Sequence, residues 1–571
     1  MEESLGSQIM TYHEASKHHY RSFAPGPGYL DWATQPDPFR RYAGARVIPL
    51  AHPESHDGPP YEAGFRPGLT PVAPLDLASV SRLFFDALAI SAWKEHAGER
   101  WALRVNPSSG NLHPTEGYLI CGAMPGLCEM PIVAHYAPAV HALEMRARLN
   151  DNVWRSLREG VALNKGDGLP EETILIGLTS ILWREAWKYG DRAFRYCQHD
   201  VGHALAALDI AAAGLGWQAR LLDELSTEQL ETLLGVTDLH EAEREHADCL
   251  VAIYPQSARC RQWRLPEGIL DFFRPLAWQG QSNVLSSSHV EWRWAETAAE
   301  ITRKSADSRW PVTESGWLGS ATSGAPDSGS AGQLAPSLPL LRRIIRQRRS
   351  AQEMDGVTHI EADVFYRILA RTVPRHDRFP FAMLPWSPRV HIAIFVHRVT
   401  GLAPGIYFLA RDPAQVGALV AALKPEFMWE TPPDCPADLP LYRLAAGDMR
   451  SIARRISCGQ DIAADGCFSL GMLAEFEPPL NEHGAWIYPR LFWECGMIGQ
   501  VLYLEAESAG IRGTGIGCFF DDGMHSFLGL HDRRFQDLYH FTVGGLVDDP
   551  RLTTLPAYEG QKQHRVEGGR S

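Results

Sequence analysis

The chain has 571 residues, of which 45% are apolar and 21% are charged, the composition of a globular protein large enough for several domains. Its formal net charge of -14 offers no basic surface to a phosphate backbone, so we predict that it does not bind nucleic acid. No apolar run approaches the roughly 20 residues of a membrane-spanning helix, and Met1–Met10 lacks the apolar segment of a secretory signal. We therefore expect a cytoplasmic protein that does not associate with membranes. Its ten cysteines form no C-x-x-C pair and are predicted to be reduced, individually buried thiols.

The first motif in chain order is a short loop, Pro107–Pro114, with the sequence PSSGNLHP. Its two prolines bracket small residues and one amide, which predicts a stiff loop that displays hydroxyl and amide donors. The alternative interpretation is a plain turn before a strand that begins near Glu116.

A long helix is predicted next, because apolar residues recur at steps of three or four, at Phe194, Cys197, Val201, Leu205, Leu208 and Ala212. A similar segment spans 490–510 in the second half of the chain. Aligning Asp200–Gly202 with Glu494–Gly496 also places Gly216 opposite Gly510. The two segments are therefore interpreted as divergent copies of one helix, each with a glycine where another backbone approaches closely. Two unrelated amphipathic helices are the alternative.

Short apolar runs rich in strand-forming residues accompany these helices, at Glu116–Cys121, Trp217–Leu222, Val390–Val396, Gly515–Phe520 and His540–Val543. Helices and strands thus mix in both halves, which predicts an α+β fold with sheet and helices packed together. Between the halves, residues 313–339 are rich in Gly, Ser, Ala and Pro and are predicted to be a linker. We assign a first domain to 1–275, a linker region to 276–340 and a second domain to 341–571.

Two further motifs lie in the second half. Arg348, Arg349 and Ser350 follow the basic helical run 341–347, and two guanidinium groups beside a hydroxyl suit a phosphate or a polar ring edge. A solvated basic helix end is the alternative. The glycines of Gly513–Gly517 do not have the spacing of a dinucleotide-binding fingerprint and no βα unit opens there, so we reject that interpretation. They could still let backbone amides approach a flat ring.

Taken together, these motifs resemble the flavin-dependent nitroreductase superfamily and, within it, the SagB/ThcOx-type dehydrogenases. The resemblance depends on PSSGN (107–111), WKYGDRAFRY (187–196), RRS (348–350) and GTGIGCFFDD (513–522), and it spans 12–273 and again 341–555. It implies two tandem nitroreductase-like domains, each with a central antiparallel-rich sheet flanked by helices, that form an intramolecular pseudo-dimer. Such a chain would act as a monomer or as a higher homo-oligomer.

The resemblance also implies a cofactor, because members of this superfamily bind FMN between two subunits. The RRS and glycine-rich segments come from one subunit and the PSSxN loop from the other. Here the first domain keeps only the loop and the second keeps the other two motifs, which predicts one complete FMN pocket and one degenerate pocket; two working pockets are the alternative. The predicted FMN-binding residues are Pro107, Ser108, Ser109, Asn111, Arg348, Arg349, Ser350, Gly515, Ile516, Gly517 and Arg551.

Lys188 and Tyr189 are the predicted catalytic pair, since the azoline dehydrogenases that the chain resembles have a Lys-Tyr pair implicated in taking the substrate proton. Hydride transfer to a flavin leaves such a proton, and a desolvated Lys or a Lys-paired Tyr can accept it. The aligned residues of the second domain are Glu482 and His483. The alternative is an exposed charge and a capping aromatic residue.

The predicted function is an FMN-dependent dehydrogenase for a small heterocyclic or peptide-derived substrate. Two alternatives stay open: an NAD(P)H-dependent nitro or quinone reductase, and a flavin-less binding or scaffold protein. His199 and His203 have the spacing of a metal-binding pair, but they fit the superfamily helix, so we predict no metal site.

Overall fold

The computed structural model describes residues 5–53, 58–161, 168–237, 241–258, 260, 262–310, 339–375 and 377–558. The segment 313–339, predicted to be a linker, lies outside these residues except for Pro339. Among the helices of the described residues, none is long and apolar enough to cross a membrane.

The first half of the chain contains a large sheet and its helices. Its strands are β1 Tyr42–Ala43, β2 Arg46–Pro49, β3 Ile90–His96, β4 Glu99–Arg104, β5 Thr115–Cys121, β6 Ile132–Ala137, β7 Ala142–Arg148, β8 Ile174–Ile181, β9 Trp217–Leu221, β10 Glu245–Pro255 and β11 Gln281–Ser282. Its α-helices are α1 Leu5–Ala15, α2 Leu77–Ala87, α3 Asp151–Glu159, α4 Leu182–Tyr189, α5 Ala193–Ala213, α6 Thr227–Leu234 and α7 Arg293–Ile301. Short 3-10 helices span Ser109–Asn111 and Gly190–Arg192.

The second half has a similar set of elements. Its strands are β12 Ile360–Glu361, β13 Val390–Val396, β14 Val399–Thr400, β15 Gly405–Leu409, β16 Leu441–Ala446, β17 Phe468–Glu475, β18 Arg512–Ile516, β19 Phe535–Gly544 and β20 Thr553–Leu555. Its α-helices are α8 Leu341–Gln347, α9 Ala362–Thr372, α10 Val416–Ala422, α11 Arg450–Ile456, α12 Ile462–Asp465, α13 Glu477–His483, α14 Tyr488–Ser508 and α15 Asp521–Leu528. Short 3-10 helices span Phe381–Met383 and Ala485–Ile487.

The two main sheets repeat one topology. The strand order is β2-β7-β6-β5-β8-β10-β9 in the first sheet and β16-β15-β13-β17-β19-β18 in the second. Neighbouring strands in both sheets pair antiparallel. Apart from the additional edge strand β2, the six strands of each sheet follow the same path. The α+β fold and the internal duplication predicted from the sequence are therefore confirmed.

The two long helices pack against each other at the centre of the molecule. Helices α5 and α14 each have 21 residues and are almost entirely buried. A Cβ atom on Gly202 would lie 2.2 Å from the carbonyl oxygen of Trp493, and one on Gly496 would lie 2.1 Å from that of His199. Because real Cβ atoms do not approach so closely, the helices can cross here only through glycine. This confirms the close backbone approach predicted at both glycines.

Polar contacts and a shared strand also join the two halves. Strand β20, near the end of the chain, pairs with β3 of the first half through Leu555 and Trp93. The buried Asp521 accepts hydrogen bonds from Arg195 (2.6 Å) and Arg192 (3.1 Å) at the start of α5. These two guanidinium groups hold the pKa of Asp521 far below its usual value despite burial.

Two sequence predictions need correction. A strand was predicted over Gly515–Phe520, whereas the strand in the structure is β18, Arg512–Ile516. It ends there because the carbonyl of Gly517 accepts hydrogen bonds from the side chains of Arg192 and Tyr196 instead of from a neighbouring strand. The cysteines are all free, but five of the ten are only half-buried, because they lie in loops near the surface or beside a cavity: Cys128, Cys260, Cys435, Cys458 and Cys518.

Candidate active site

A cavity of about 910 Å³ lies between the two halves. The first half contributes the loop that contains Pro107–Asn111, together with Tyr189 and residues of the β3–β4 hairpin. The second half contributes Arg348–Ser350 and the glycine-rich strand end, Gly515–Gly517. Ten of the eleven predicted FMN-binding residues and one of the two predicted catalytic residues thus line one cavity.

Two predicted site residues lie outside the lining. Arg551 is exposed and pairs with Asp549 at 2.8 Å, although its neighbours Pro550 and Leu552 line the cavity. Lys188 is half-buried behind Tyr189, with its ammonium 5.4 Å from the centre of the tyrosine ring.

Part of the cavity wall is strongly cationic. Helix α8 ends at Gln347, so that Arg346, Arg348 and Arg349 project around its carboxyl terminus, where cations are favoured. Arg348 donates to the carbonyls of Arg104 and Val105, at 3.0 and 3.2 Å, just before the PSSGN loop. Within the described residues, none of these three guanidinium groups forms an ion pair with a carboxylate. Their positive charge is therefore available to an anionic ligand.

Arg349 is the clearest case of an uncompensated charge. It donates to the carbonyls of Arg346 (2.9 Å), Arg348 (2.6 Å) and, weakly, Ser91 (3.3 Å). Burial and, to a smaller extent, repulsion from the neighbouring arginines lower the pKa of Arg349 to about 9. Lys94, also in the lining, feels the same cluster: burial and Arg349 lower its pKa. An anion such as a phosphate would relieve this repulsion, because charge-assisted hydrogen bonds to it are strong.

The neighbouring part of the wall is built from glycines and tyrosine rings. A Cβ atom on Gly515 would lie 2.0 Å from the hydroxyl of Tyr539, and one on Gly517 would lie 2.4 Å from the ring of Tyr196. The amide of Gly515 donates to the hydroxyl of Tyr503 at 2.9 Å, and that hydroxyl also bonds Ser350 at 2.9 Å. The glycines are thus needed for close packing against tyrosine rings that also line the cavity.

The PSSGN loop is held mainly by its own side chains. Gly110 and Asn111 have left-handed φ values of 59° and 60°, which glycine and asparagine tolerate best. Asn111 donates its amide to the carbonyl of Ala102 at 2.9 Å, and Ser108 accepts the backbone amide of His113 at 2.8 Å. Two of the predicted ligand contacts therefore also shape the loop.

Asp200, in the middle of α5, is a site residue that sequence reasoning treated only as an alignment marker. Its carboxylate lines the cavity and accepts the backbone amide (3.1 Å) and hydroxyl (3.3 Å) of Ser109. Burial raises its pKa to about 7, against the hydrogen bonds from Ser108 and Ser109. Its second oxygen has no hydrogen-bond partner among the described residues. The cavity therefore contains a carboxyl group that exchanges a proton near neutral pH.

Tyr189 is the predicted catalytic residue that reaches the cavity. It is the last residue of α4, and its hydroxyl packs against Gly110, where a Cβ atom would lie 2.5 Å away. Its ring packs edge-on against Tyr196 at 4.6 Å. Burial and the nearby Glu185 carboxyl raise the pKa of Tyr189 well above its usual value, so the phenol is protonated at neutral pH. At neutral pH the phenol of Tyr189 can therefore donate a proton, but it is not a phenolate.

The duplication relates Gly517 of this cavity to a charged residue in the first half. Aligning Gly216 with Gly510 places Asp223 opposite Gly517. Asp223 accepts hydrogen bonds from Arg490 at 2.9 Å and from the indole of Trp310 at 2.8 Å. Trp310 in turn stacks on Trp386 at 5.3 Å. At the position that the alignment pairs with Gly517, the structure therefore has a charged pair packed with two indole rings instead of a glycine.

The chain has a nitroreductase-like α+β fold. The structure matches a provisionally named nitroreductase from Anabaena variabilis ATCC 29413 with a TM-score of 0.65 and 20% sequence identity, over 95% of this chain and 100% of that one. Since the match covers both halves, the chain has this fold in tandem, as an intramolecular pseudo-dimer.

Two further solved structures match parts of the chain. The Escherichia coli microcin synthetase McbBCD complex with truncated pro-MccB17 bound matches over 35% of this chain and 70% of its own, with 15% identity and a TM-score of 0.27. A provisionally named nitroreductase from Ralstonia eutropha JMP134 matches over 41% and 98%, with 17% identity and a TM-score of 0.26. No protein-family model and no curated protein matches the chain.

Proposed function

We propose that the chain is an FMN-dependent oxidoreductase that binds one FMN in the interdomain cavity. The observation behind this proposal is the combination, in one cavity, of an arginine cluster without carboxylate partners among the described residues and a glycine-rich strand end packed against tyrosine rings. FMN has a phosphate at one end and a flat ring at the other. The nitroreductase fold of the chain supports the same assignment.

The residues present fit this ligand at both ends. Arg349 and Lys94 would hold the phosphate, because their charges are only partly compensated by the protein. Ser109, Ser350 and the backbone around Gly515 would hold the polar edge of the ring. The corresponding position of the other pocket contains Asp223 and Trp310 instead, so we propose one FMN per chain and a pseudo-dimer that is complete within a single chain.

Bound FMN would accept a hydride, and the protein must then only position the substrate and move one proton. We assign the proton transfer to Lys188 and Tyr189. Because its high pKa keeps the phenol of Tyr189 protonated, it would act as a relay that requires Lys188 in its neutral form: the phenol takes the substrate proton while it passes its own to Lys188, whose nitrogen lies 5.4 Å from the centre of the tyrosine ring. This arrangement suits dehydrogenation of a small heterocyclic or peptide-derived substrate of the SagB/ThcOx type.

A second candidate function is an NAD(P)H-dependent nitro or quinone reductase. The observation in its favour is that two protonated groups face the cavity at neutral pH, the phenol of Tyr189 and, for part of the time, the carboxyl of Asp200. Either could supply the proton that reduction consumes.

Flavin titration of the full-length protein tests the proposal. We expect the visible spectrum of a flavoprotein and saturation at one FMN per chain. Saturation at two would mean that both pockets bind, and no binding would favour the scaffold alternative. Anaerobic reduction of bound FMN by NAD(P)H would support the reductase, whereas reduction only by an azoline-containing peptide would support the dehydrogenase.

A further inference from the structure

Two cysteines lie close together at a second cavity, which shares no lining residue with the interdomain cavity. This cavity, of about 660 Å³, lies at the β2 edge of the first sheet and is lined in part by the loop between β5 and β6. Cys121 is the last residue of β5 and is fully buried, whereas Cys128 lies in that loop, is half-buried and lines the cavity. Their sulfur atoms are 3.9 Å apart, within hydrogen-bond distance for thiols. The two thiols therefore form a pair with one accessible member.

The backbone of the loop holds Cys128 beside Cys121. Met124 and Cys128 exchange two backbone hydrogen bonds, of 2.8 and 3.1 Å, which close a tight turn. The sulfur of Cys128 also lies 3.4 Å from the carbonyl oxygen of Gly122, to which its thiol form can donate. The S–S length of a disulfide is about 2.05 Å, so the two sulfurs must approach each other by about 1.9 Å to form one. Because Cys128 is half-buried and borders the cavity, its side chain is free to make this movement.

The lining of this cavity favours an anionic ligand. Arg46, the first residue of β2, and Arg148, the last residue of β7, both line it and are exposed. Within the part of the chain that the structure describes, neither guanidinium group forms an ion pair with a carboxylate. The lining contains one carboxylate, Glu129, so its cations outnumber its anions, and most of its other side chains are apolar.

The sheet sets the distance between the positive charge and the thiols. Cys121 pairs with Ile132, and Ile132 pairs with Arg148, so the three residues lie in register on neighbouring strands. Two strand spacings, about 10 Å, therefore separate the backbones of Cys121 and Arg148. A small disulfide that carries carboxylates can span this distance, with a carboxylate at Arg148 and a sulfur at Cys128.

The contact between the sulfurs gives the two thiols different roles. The hydrogen bond from Cys121 lowers the pKa of Cys128, against the effect of burial. The same hydrogen bond, together with burial, raises the pKa of Cys121 well above its usual value. Cys128 is also the cysteine that borders the cavity, so its acidity and its accessibility both favour it as the attacking sulfur.

We propose that Cys121 and Cys128 form a thiol–disulfide exchange site for small anionic disulfides of the glutathione class. The thiolate of Cys128 attacks one sulfur of the disulfide, which breaks its S–S bond, forms a mixed disulfide and releases one thiolate that takes up a proton. Cys121 then loses its proton and attacks the sulfur of Cys128, which forms the Cys121–Cys128 bond and releases the second thiolate, which is protonated in turn. Two electrons pass from the cysteine pair to the small disulfide.

Differential alkylation of the full-length protein tests this proposal without using flavin, so its outcome is independent of the FMN assignment. The reduced protein is incubated with oxidised glutathione at pH 7 and unfolded, and its free thiols are blocked. Disulfides are then reduced, and the released thiols are labelled with a second reagent and located by mass spectrometry. We expect the second label on Cys121 and Cys128 together. Cys435 is the control and should stay reduced, since it is also half-buried but burial raises its pKa to about 11.

A variant identifies the attacking sulfur. In Cys121→Ala, which lacks the resolving thiol, glutathione should stay attached to Cys128. Wild-type protein in which Cys121 stays reduced, or in which other cysteines are oxidised while this pair is not, would overturn the proposal.

Charge selectivity provides a further measurement, which leaves both cysteines in place. The rate of disulfide formation is compared for oxidised glutathione, which is anionic, and cystamine, which is cationic. Arg148→Gln should slow the reaction with oxidised glutathione about 2- to 5-fold, the effect of one exposed ion pair, and should not slow that with cystamine. Arg155→Gln is the matched control, because Arg155 is an exposed arginine of α3 outside the lining. Equal slowing with both disulfides, or no change with either, would refute a site selective for anionic disulfides.

Discussion

Arg349 offers a test of the flavin proposal that is specific for charge. Its Nη1 atom is engaged by two backbone carbonyls, and its Nη2 atom makes only a long bond of 3.3 Å to Ser91. One side of the guanidinium group is therefore available for a phosphate oxygen. A charge-assisted hydrogen bond of this kind contributes about 1.5–3 kcal/mol, so Arg349→Ala should raise the Kd for FMN about 10- to 150-fold.

Riboflavin, which lacks the phosphate, distinguishes this effect from general damage to the pocket. Both affinities can be measured by quenching of flavin fluorescence in the apoprotein. We expect the Kd for riboflavin to change by less than about 2-fold, since no charge-assisted bond is lost. Arg343→Ala is the matched control, because Arg343 lies on the same helix and is exposed. An equal loss for both flavins, or no loss for FMN, would refute the assignment of Arg349 to the phosphate.

The apoprotein should respond in the opposite direction. Burial and the neighbouring arginines lower the pKa of Arg349 to about 9, so its surroundings in the protein disfavour the charged form. Removing that charge should leave the melting temperature of the apoprotein unchanged or raise it. FMN at saturation should then stabilise the variant less than it stabilises the wild type. A clear fall in the apoprotein melting temperature would mean that Arg349 is mainly structural.

Three further predictions concern the proton-transfer groups and the helix crossing. Lys188→Ala should leave FMN bound but lower turnover by about 10²–10⁴, and Lys188→Arg should not restore it, because a guanidinium group keeps its proton. Tyr189→Phe should lower turnover at least as much, because the proposed relay passes through its phenol. Full activity of Lys188→Ala in steady-state assays would refute the mechanism. The pKa of Asp200 is raised from 3.8 to about 7, so the folded state favours its protonated form and the free energy of unfolding falls as the pH rises between these values. Asp200→Asn should remove this pH dependence from the free energy of unfolding measured by chemical denaturation. An unchanged pH dependence would contradict the assignment. Gly496→Ala should destabilise the protein by about 3 kcal/mol or more in the same unfolding assay, because overpacking against a backbone cannot relax easily. The control Gly417→Ala should stabilise it by about 0.5–1 kcal/mol, because Gly417 lies in a helix and a Cβ atom there would meet none of the described residues within 4 Å. Equal effects at the two glycines would show that the helix crossing is not tight.

Much of the fold was predictable because its signals are local. The apolar spacing over 194–212 fixed the position of α5, and the run Val390–Val396 coincides with β13. The PSSGN and RRS motifs were also found, since each is a short continuous segment. Their meeting in one cavity followed from the family resemblance, because no local pattern indicates which segments approach each other across a domain interface.

The residues that sequence reasoning missed depend on tertiary structure. Tyr196, Tyr503 and Tyr539 line the cavity, yet each lies in an ordinary helical or strand pattern and would be assigned to the core. Asp200 was visible in the alignment of the two helices, but its raised pKa results from burial, which only the folded chain shows. The contacts of Trp310 with Asp223 and Trp386 could not be foreseen either, because these residues lie far apart in sequence.

The crossing of α5 and α14 determines how the proposed cofactor site responds when the protein is diluted. In a homodimer, a pocket shared by two chains disappears when the subunits separate, so its apparent affinity falls at low protein concentration. Here both walls of the pocket belong to one polypeptide, and the glycines at the crossing hold the halves in backbone contact. Cofactor affinity should therefore be the same at nanomolar and micromolar protein, and a cell could use this protein at very low copy number without losing the site.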